Sequence, residues 1–170
     1  MVAGKPTSSF PRPKGVYFPN EERTVFLHVA GEESQDTCGS WSNDNQVAAC
    51  TTICHRLVRL NEWPKYKDLK VKRIAVVSPY KAQCKKITAR IKCLGLECIT
   101  IDSLQGDERD YSLISTVRSN KEGAVGFLSD HRRLNVMLTR ARYGTILVGD
   151  AEDQERQRKS NEKKKGTRMA

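Results

Sequence analysis

An open, mainly parallel α/β sheet with helices on both faces is the fold class that this 170-residue sequence predicts. Three observations carry the prediction. Short apolar runs alternate four or five times with segments of helical periodicity. One of the runs, Arg73–Ser78 (RIAVVS), is continuously apolar, as strands buried on both faces of a parallel sheet are. Polar clusters follow the apolar runs at Pro79–Tyr80, Asp102–Asp110 and Arg118–Asn120, and open α/β sheets bind ligands at the loops leaving the carboxyl ends of their strands.

Each element follows from local pattern. Thr24–Ala30 (TVFLHVA) reads as the first strand and Gly31–Trp41 as a polar loop. Ser42 or Asp44 is the expected cap of a helix running to about Asn61, with Val47, Cys50, Cys54, Leu57 and Val58 at helical spacing and Pro64 ending any continuation. After Arg73–Ser78, Pro79 suits the first helical position. The helix it opens places Cys84, Ile87, Ile91 and Leu94 on one face and stops at Gly95. Glu97–Ile101 (ECITI) and Tyr111–Val117 (YSLISTV) read as strands. Asp130 begins a helix with Leu134, Met137, Leu138 and Ala141 on one face, and Thr145–Gly149 (TILVG) is the last strand. Four of the six prolines fall within residues 1–23, an extended lead-in; residues 24–150 form the folded domain; residues 151–170 are a basic tail without an apolar stripe, expected to be disordered.

Thirty Lys and Arg stand against 20 Asp and Glu, for a net charge of +10. Such an excess favours a polyanionic partner, nucleic acid before an acidic membrane, over a merely solvated basic surface. No run is long or apolar enough to span a bilayer, and the N-terminus lacks the apolar core of a secretory signal, so an intracellular protein, cytoplasmic or nuclear, is expected. The Lys163–Lys165 run is compatible with a weak nuclear localisation signal. None of the six cysteines forms a CxxC pair, and they read as reduced thiols. Cys50, Cys54 and His55 lie in a helical pattern with no second ligand pair, so no metal site is expected.

Three segments carry candidate chemistry. The turn at Pro79–Tyr80 leaves a buried strand for a helix whose first N–H groups favour an anion. The segment Asp102–Asp110 holds four acids in nine residues, with Ser103 and Gln105 able to hydrogen-bond phosphate or ribose and Gly106 permitting close backbone approach. In the third segment, Arg133 and Arg140 are seven residues apart, which puts them on one helix face about 10 Å apart. Guanidinium groups there suit stabilisation of charge on a transferring phosphoryl group.

Together SPYKAQ, ITIDSLQGDERDYSLISTVRSN and GAVGFLSDHRRLNVMLTRARYGTILVGD resemble motifs IV, V and VI of superfamily 1 helicases. The similarity is to the branch of the nonsense-mediated-decay helicase and its senataxin-like relatives, and it runs from about Thr24 to Asp150. The resemblance implies a RecA-like second lobe. It makes Arg140 an arginine finger reaching the γ-phosphate of ATP held on a partner lobe. Arg133, Glu108, Gly106 and Gln105 then line the nucleotide side, and Asp102, Ser103, Pro79 and Tyr80 face single-stranded RNA or DNA and the interlobe cleft. It also implies ATP and Mg²⁺ as cofactors and a first RecA-like lobe as partner, in cis or in trans.

This chain departs from the family at Asp107, where a basic residue is common, and at Met137, where a small residue is usual. No G-x-x-x-x-G-K-[ST] phosphate loop occurs in the sequence, so the chain alone is expected to hydrolyse ATP negligibly. The competing expectation is a degenerate lobe that binds nucleic acid or a protein partner without catalysis. Retention of Arg140, Arg133, Gln105 and Glu108 favours the motor.

Overall fold

Strand β1 (Thr24–His28) comes first in the computed structural model, which describes residues 24–59, 74–104, 109–120, 135–136, 138 and 141–151. It is followed by a hairpin of β2 (Glu33–Gln35) and β3 (Trp41–Asn43), then helix α1 (Asp44–Arg59). Strand β4 (Ile74–Ser78) leads to helix α2 (Lys81–Ile91), which ends in a 3-10 turn at Lys92–Leu94. Strand β5 (Cys98–Thr100) and a second 3-10 turn (Ile101–Leu104) precede β6 (Arg109–Ser115) and β7 (Ala141–Gly149). Five strands form one sheet in the order β1-β7-β6-β4-β5, and every neighbouring pair in it is parallel. This is the α/β architecture that the alternation of strands and helices predicts.

The sheet sorts its residues by the two-residue period of a strand. Ile74 and Val76 of β4, Tyr111 and Leu113 of β6, and Ile146 and Val148 of β7 turn to one face. There they meet Val47, Cys50, Cys54 and Leu57 of α1 and Cys84, Ile87 and Ile91 of α2. Ala75, Val77, Ile114 and Leu147 turn to the other face, against Ile101 and Leu104. Leu138, from the helical residues before β7, packs on that second face. All five residues of β4 are buried, as its unbroken apolar run requires.

Several boundaries differ from expectation for identifiable reasons. The segment read as a polar loop contains the β2–β3 hairpin, held by Ser34 against Ser42 across the strands and by Asp36 Oδ1 accepting from the backbone N–H groups of Cys38 and Ser40. The cap of α1 is neither Ser42 nor Asp44 but the residue between them, Asn43, whose Oδ1 accepts from Gln46 N at 3.1 Å. Pro79 stands before the N-cap residue Tyr80 rather than at the first helical position, because helix α2 begins at Lys81. Gly95 does end the second helix, at φ 71°, where a side chain would be strained. Strand β6 stops at Ser115 because Val117 turns to φ 70°. Strand β7 begins four residues early, at Ala141, in register with Arg109. The lead-in 1–23, Pro64, Asp130 and the tail beyond Ala151 lie outside the described residues.

Candidate functional site

Because the sheet is parallel, all five strands end on one side, and the polar residues that follow them meet there. Pro79 and Tyr80 follow β4, Asp102 and Ser103 follow β5, Arg118–Asn120 follow β6, and Asp150 follows β7. The expectation that all of Asp102–Asp110 would sit at this end is corrected. Arg109 and Asp110 open β6, so they lie at the opposite, amino end of the sheet, and Asp110 is buried. A parallel strand starts from the same side of the sheet as the strand before it, so β6 opens at the end opposite Asp102 and Ser103.

A buried amide network fixes the carboxyl end of β6. Gln46 Oε1 accepts from Ser115 Oγ and from Val117 N, each at 2.9 Å, and Gln46 Nε2 donates to Val117 O at 3.2 Å. Gln83 Oε1 accepts from Asn43 N at 2.9 Å, and its Nε2 donates to Ser115 Oγ at 2.9 Å. Asn43 Nδ2 reaches Gly31 O at 3.0 Å. Ser78 Oγ donates to Ser115 O at 3.1 Å. Asn43, Gln46, Gln83 and Ser115 are all fully buried. Buried amides of this kind are tolerated only when satisfied, and here each ties one element to another.

The network holds a strained turn. Val117 has φ 70°, a region that β-branched residues avoid, and Arg118 N donates back to Thr116 O at 2.9 Å to close a γ-turn. The two hydrogen bonds from Gln46 to the Val117 peptide groups over-determine that geometry. The turn directs Arg118 onto the hairpin. Its guanidinium lies 4.7 Å from the Trp41 ring centroid, and its Nε donates to Glu33 Oε2 at 3.0 Å. Burial alone would lower the Arg118 pKa, but hydrogen bonds to Tyr80 and Glu33 and the Glu33 charge raise it above its ordinary value. Glu33 Oε2 also accepts from Ser119 N at 2.7 Å, and Ser119 Oγ donates to Asp150 Oδ2 at 2.6 Å.

The β4–β5 half of the same end is more open. Tyr80 and Pro79 are half-buried, and Asp102 and Ser103 are exposed. Ser103 Oγ is 3.0 Å from Thr100 Oγ1. The first turn of α2 is not wholly free for an anion, since Ala82 N donates to Ser40 Oγ of the hairpin at 3.0 Å. Of the residues expected to act, Pro79, Tyr80, Asp102 and Ser103 thus share one end of the sheet. Gln105, Gly106, Glu108, Arg133 and Arg140 lie outside the described residues. Their immediate successors Arg109 and Ala141, which follow Glu108 and Arg140 in sequence, are Cα partners at the amino ends of β6 and β7.

Cys50, Cys54, Cys84 and Cys98 are buried free thiols, whereas Cys38 and Cys93 are exposed. Burial pushes the Cys54 thiol up to about 12 and raises Cys50 further, so both are neutral at physiological pH. Among the described residues, no group of three or more His, Cys, Asp or Glu side chains is arranged to hold a metal ion, and no helix is long and apolar enough to cross a membrane.

Sequence reasoning passed over the roles of Asn43, Gln46 and Glu33. Gln46 carried a usable signal: it opens the buried stripe of α1 (Gln46, Cys50, Ile53, Leu57), where a polar side chain needs an internal partner.

A family model described as an AAA domain matches residues 5–152. The chain is 34% identical over 153 residues to "Regulator of nonsense transcripts 1" of Dictyostelium discoideum, a match covering 85% of this chain and 11% of that protein. It is 39% identical over 130 residues to "Probable helicase MAGATAMA 3" of Arabidopsis thaliana, covering 71% of this chain and 15% of the relative. It is 32% identical over 155 residues to "ATP-dependent helicase NAM7" of Saccharomyces cerevisiae, covering 85% and 15% respectively. The chain therefore spans between 11% and 15% of the length of these relatives.

Proposed function

This chain belongs to the AAA-domain family of superfamily 1 helicases that includes the nonsense-transcript regulators and helicase NAM7, and from that premise we propose that it is the second motor lobe of an ATP-dependent RNA or DNA helicase. The observation that carries the reading is the register of β6 against β7. Arg109 pairs with Ala141, so the two segments that resemble motifs V and VI run into adjacent strands at one end of the sheet. Glu108 and Arg140 each stand one residue before those partners.

In this reading Arg140 is the arginine finger. Arg133, Glu108, Gln105 and Gly106 face the nucleotide, whose phosphates and Mg²⁺ are held mainly by a first RecA-like lobe. The residue types fit that division, because they offer a wall of guanidinium, carboxylate and amide groups rather than a cradle of backbone N–H groups. Bound ATP supplies the free energy for lobe closure. Asp102, Ser103, Pro79 and Tyr80, at the carboxyl end of the strands, face the single strand. One rigid body that carries both sets of residues can transmit closure from the nucleotide to the single strand. The buried Gln46–Gln83–Ser115 bonds support that rigidity.

ATP turnover tests the proposal. The purified chain is expected to be silent with or without single-stranded RNA. Mixing it with a separately expressed first lobe of a related helicase is expected to give turnover that nucleic acid stimulates and Arg140→Ala abolishes. Turnover by the chain alone would overturn the half-motor reading. Silence in a mixture whose lobes demonstrably associate would favour a binding-only lobe.

A further inference from the structure

Helix α2 and the open edge of the sheet flank a shallow, open groove of about 640 Å³ that the motor reading leaves without a task. One wall is α2, through Lys81, Lys85, Thr88 and Lys92; the other is β5, and Ser103 closes the upper end. The basic residues are arranged by the helix itself. Lys81, Lys85, Thr88 and Lys92 are four, three and four residues apart, a spacing that keeps them on one face. The rise is about 6 Å from Lys81 to Lys85 and roughly 10 Å from Lys85 to Lys92. From Lys81 to Lys92 the chain has five basic residues and no acid.

Pairing separates this face from its neighbour. Lys86, which is not among the groove residues, donates to Asp44 Oδ1 at 2.8 Å. Among the described residues, Lys81, Lys85 and Lys92 form no ion pair, and all three are exposed. Among the described residues that line the groove, the one acid is Glu97. Lys81 also sits in the first turn of α2, where the helix dipole disfavours a cation unless an anion lies close by.

The edge strand is closed to strand addition at its first residue, Cys98. Thr88 Oγ1 accepts from Cys98 N at 3.0 Å and lies 3.4 Å from Cys98 O, so that residue's outward backbone groups are already engaged. A peptide has no free ladder there, whereas a chain of phosphates needs only the lysines.

We propose that the α2–β5 groove is a phosphodiester-binding extension of the nucleic-acid track, which carries a single strand from Ser103 down the open edge of the sheet past Lys85 to Lys92. It rests on the motor reading for the track's upper end at Asp102 and Ser103. It adds a second stretch of strand, gripped by charge and indifferent to base sequence.

The test is single-stranded RNA binding by the full chain across a salt series, with homopolymers of roughly 5 and roughly 15 nucleotides. Lys85→Ala/Lys92→Ala is compared with Lys86→Ala/Arg90→Ala, which removes the same charge from outside the groove. Thermal melts confirm that both variants are folded. The groove variant is expected to lose about tenfold in affinity for the long oligomer and to flatten its log–log salt slope by about 1.4. Short-oligomer binding should stay within about twofold, and the control pair should change either oligomer by less than that. Equal losses in both variants, or an unchanged long-oligomer slope, would overturn the extension while leaving the motor reading intact. Failure of the wild-type chain to bind either oligomer would remove the track itself. Binding to phosphatidylserine vesicles, but not RNA, that is lost in the groove variant would overturn the assignment in favour of a lipid surface.

Discussion

The sheet has two halves built on opposite principles. Around β6 and β7 nearly every polar side chain is spoken for: Gln46, Gln83 and Asn43 bond one another's elements, and Arg118 is shared among Trp41, Glu33 and Tyr80. Around β5 the charges stand in solvent, with Lys81, Lys85 and Lys92 unpaired among the described residues. Burial separates the two. A polar group removed from water must find a partner inside the protein, and once it has one it cannot serve a ligand without losing that partner. The satisfied half is therefore scaffold, and the unsatisfied half is where binding energy remains to be gained.

Substitutions break or sharpen this contrast in a definite order. Gln46→Ala should act most strongly, since it strands the Val117 N–H and releases a strained turn; a loss of about 2–4 kcal/mol by urea denaturation is expected. A loss below about 1 kcal/mol would mean that the turn holds itself, and the scaffold reading of that half would fail. Arg118→Ala comes next, at about 1–2 kcal/mol, because it leaves the Glu33 carboxylate, whose side chain is 9% exposed, with only the Ser119 N–H. At the bottom of the scale, Lys85→Ala/Lys92→Ala should shift stability by less than about 0.5 kcal/mol in either direction. A larger loss would show that these lysines are structural and collapse the distinction between the halves.

The central strands and both helices were legible in the sequence because their signals are local. Val76 lies in an unbroken apolar run, Leu113 in a short β-favouring run (YSLISTV), and Cys84, Ile87 and Ile91 repeat at helical spacing. The hairpin escaped because Glu33–Gln35 and Trp41–Asn43 carry few apolar residues, and their pairing rests on Asp36 and on Ser34 against Ser42. The scaffold half of the site escaped for a different reason. Gln46 meets Ser115 and Val117 across 69 and 71 residues, and no window along the chain contains both partners. The groove was written openly as Lys81, Lys85 and Lys92, but a lysine stripe has the same spacing whether it faces solvent or a groove. Only the fold, by setting it against β5 and pairing Lys86 elsewhere, separates the two. Of the nine residues singled out for function, Pro79, Tyr80, Asp102 and Ser103 fall at one end of the sheet, and their roles, like that of Arg140, rest on the resemblance.

Among the described residues strand β1 pairs only with β7, and Thr24 meets Thr145 across about 120 residues of chain. At synthesis rates of roughly 5–20 residues per second, β1 leaves the ribosome many seconds before its partner exists. Strands β4, β5 and β6 and helix α2, contiguous in sequence, can associate during that interval. Phe26 and Leu27 stay 36% and 41% exposed even in the finished sheet, so the waiting strand is an apolar, unpaired segment at the time when other nascent chains are nearest. Chaperone dependence and aggregation of this domain should therefore be governed by its first strand.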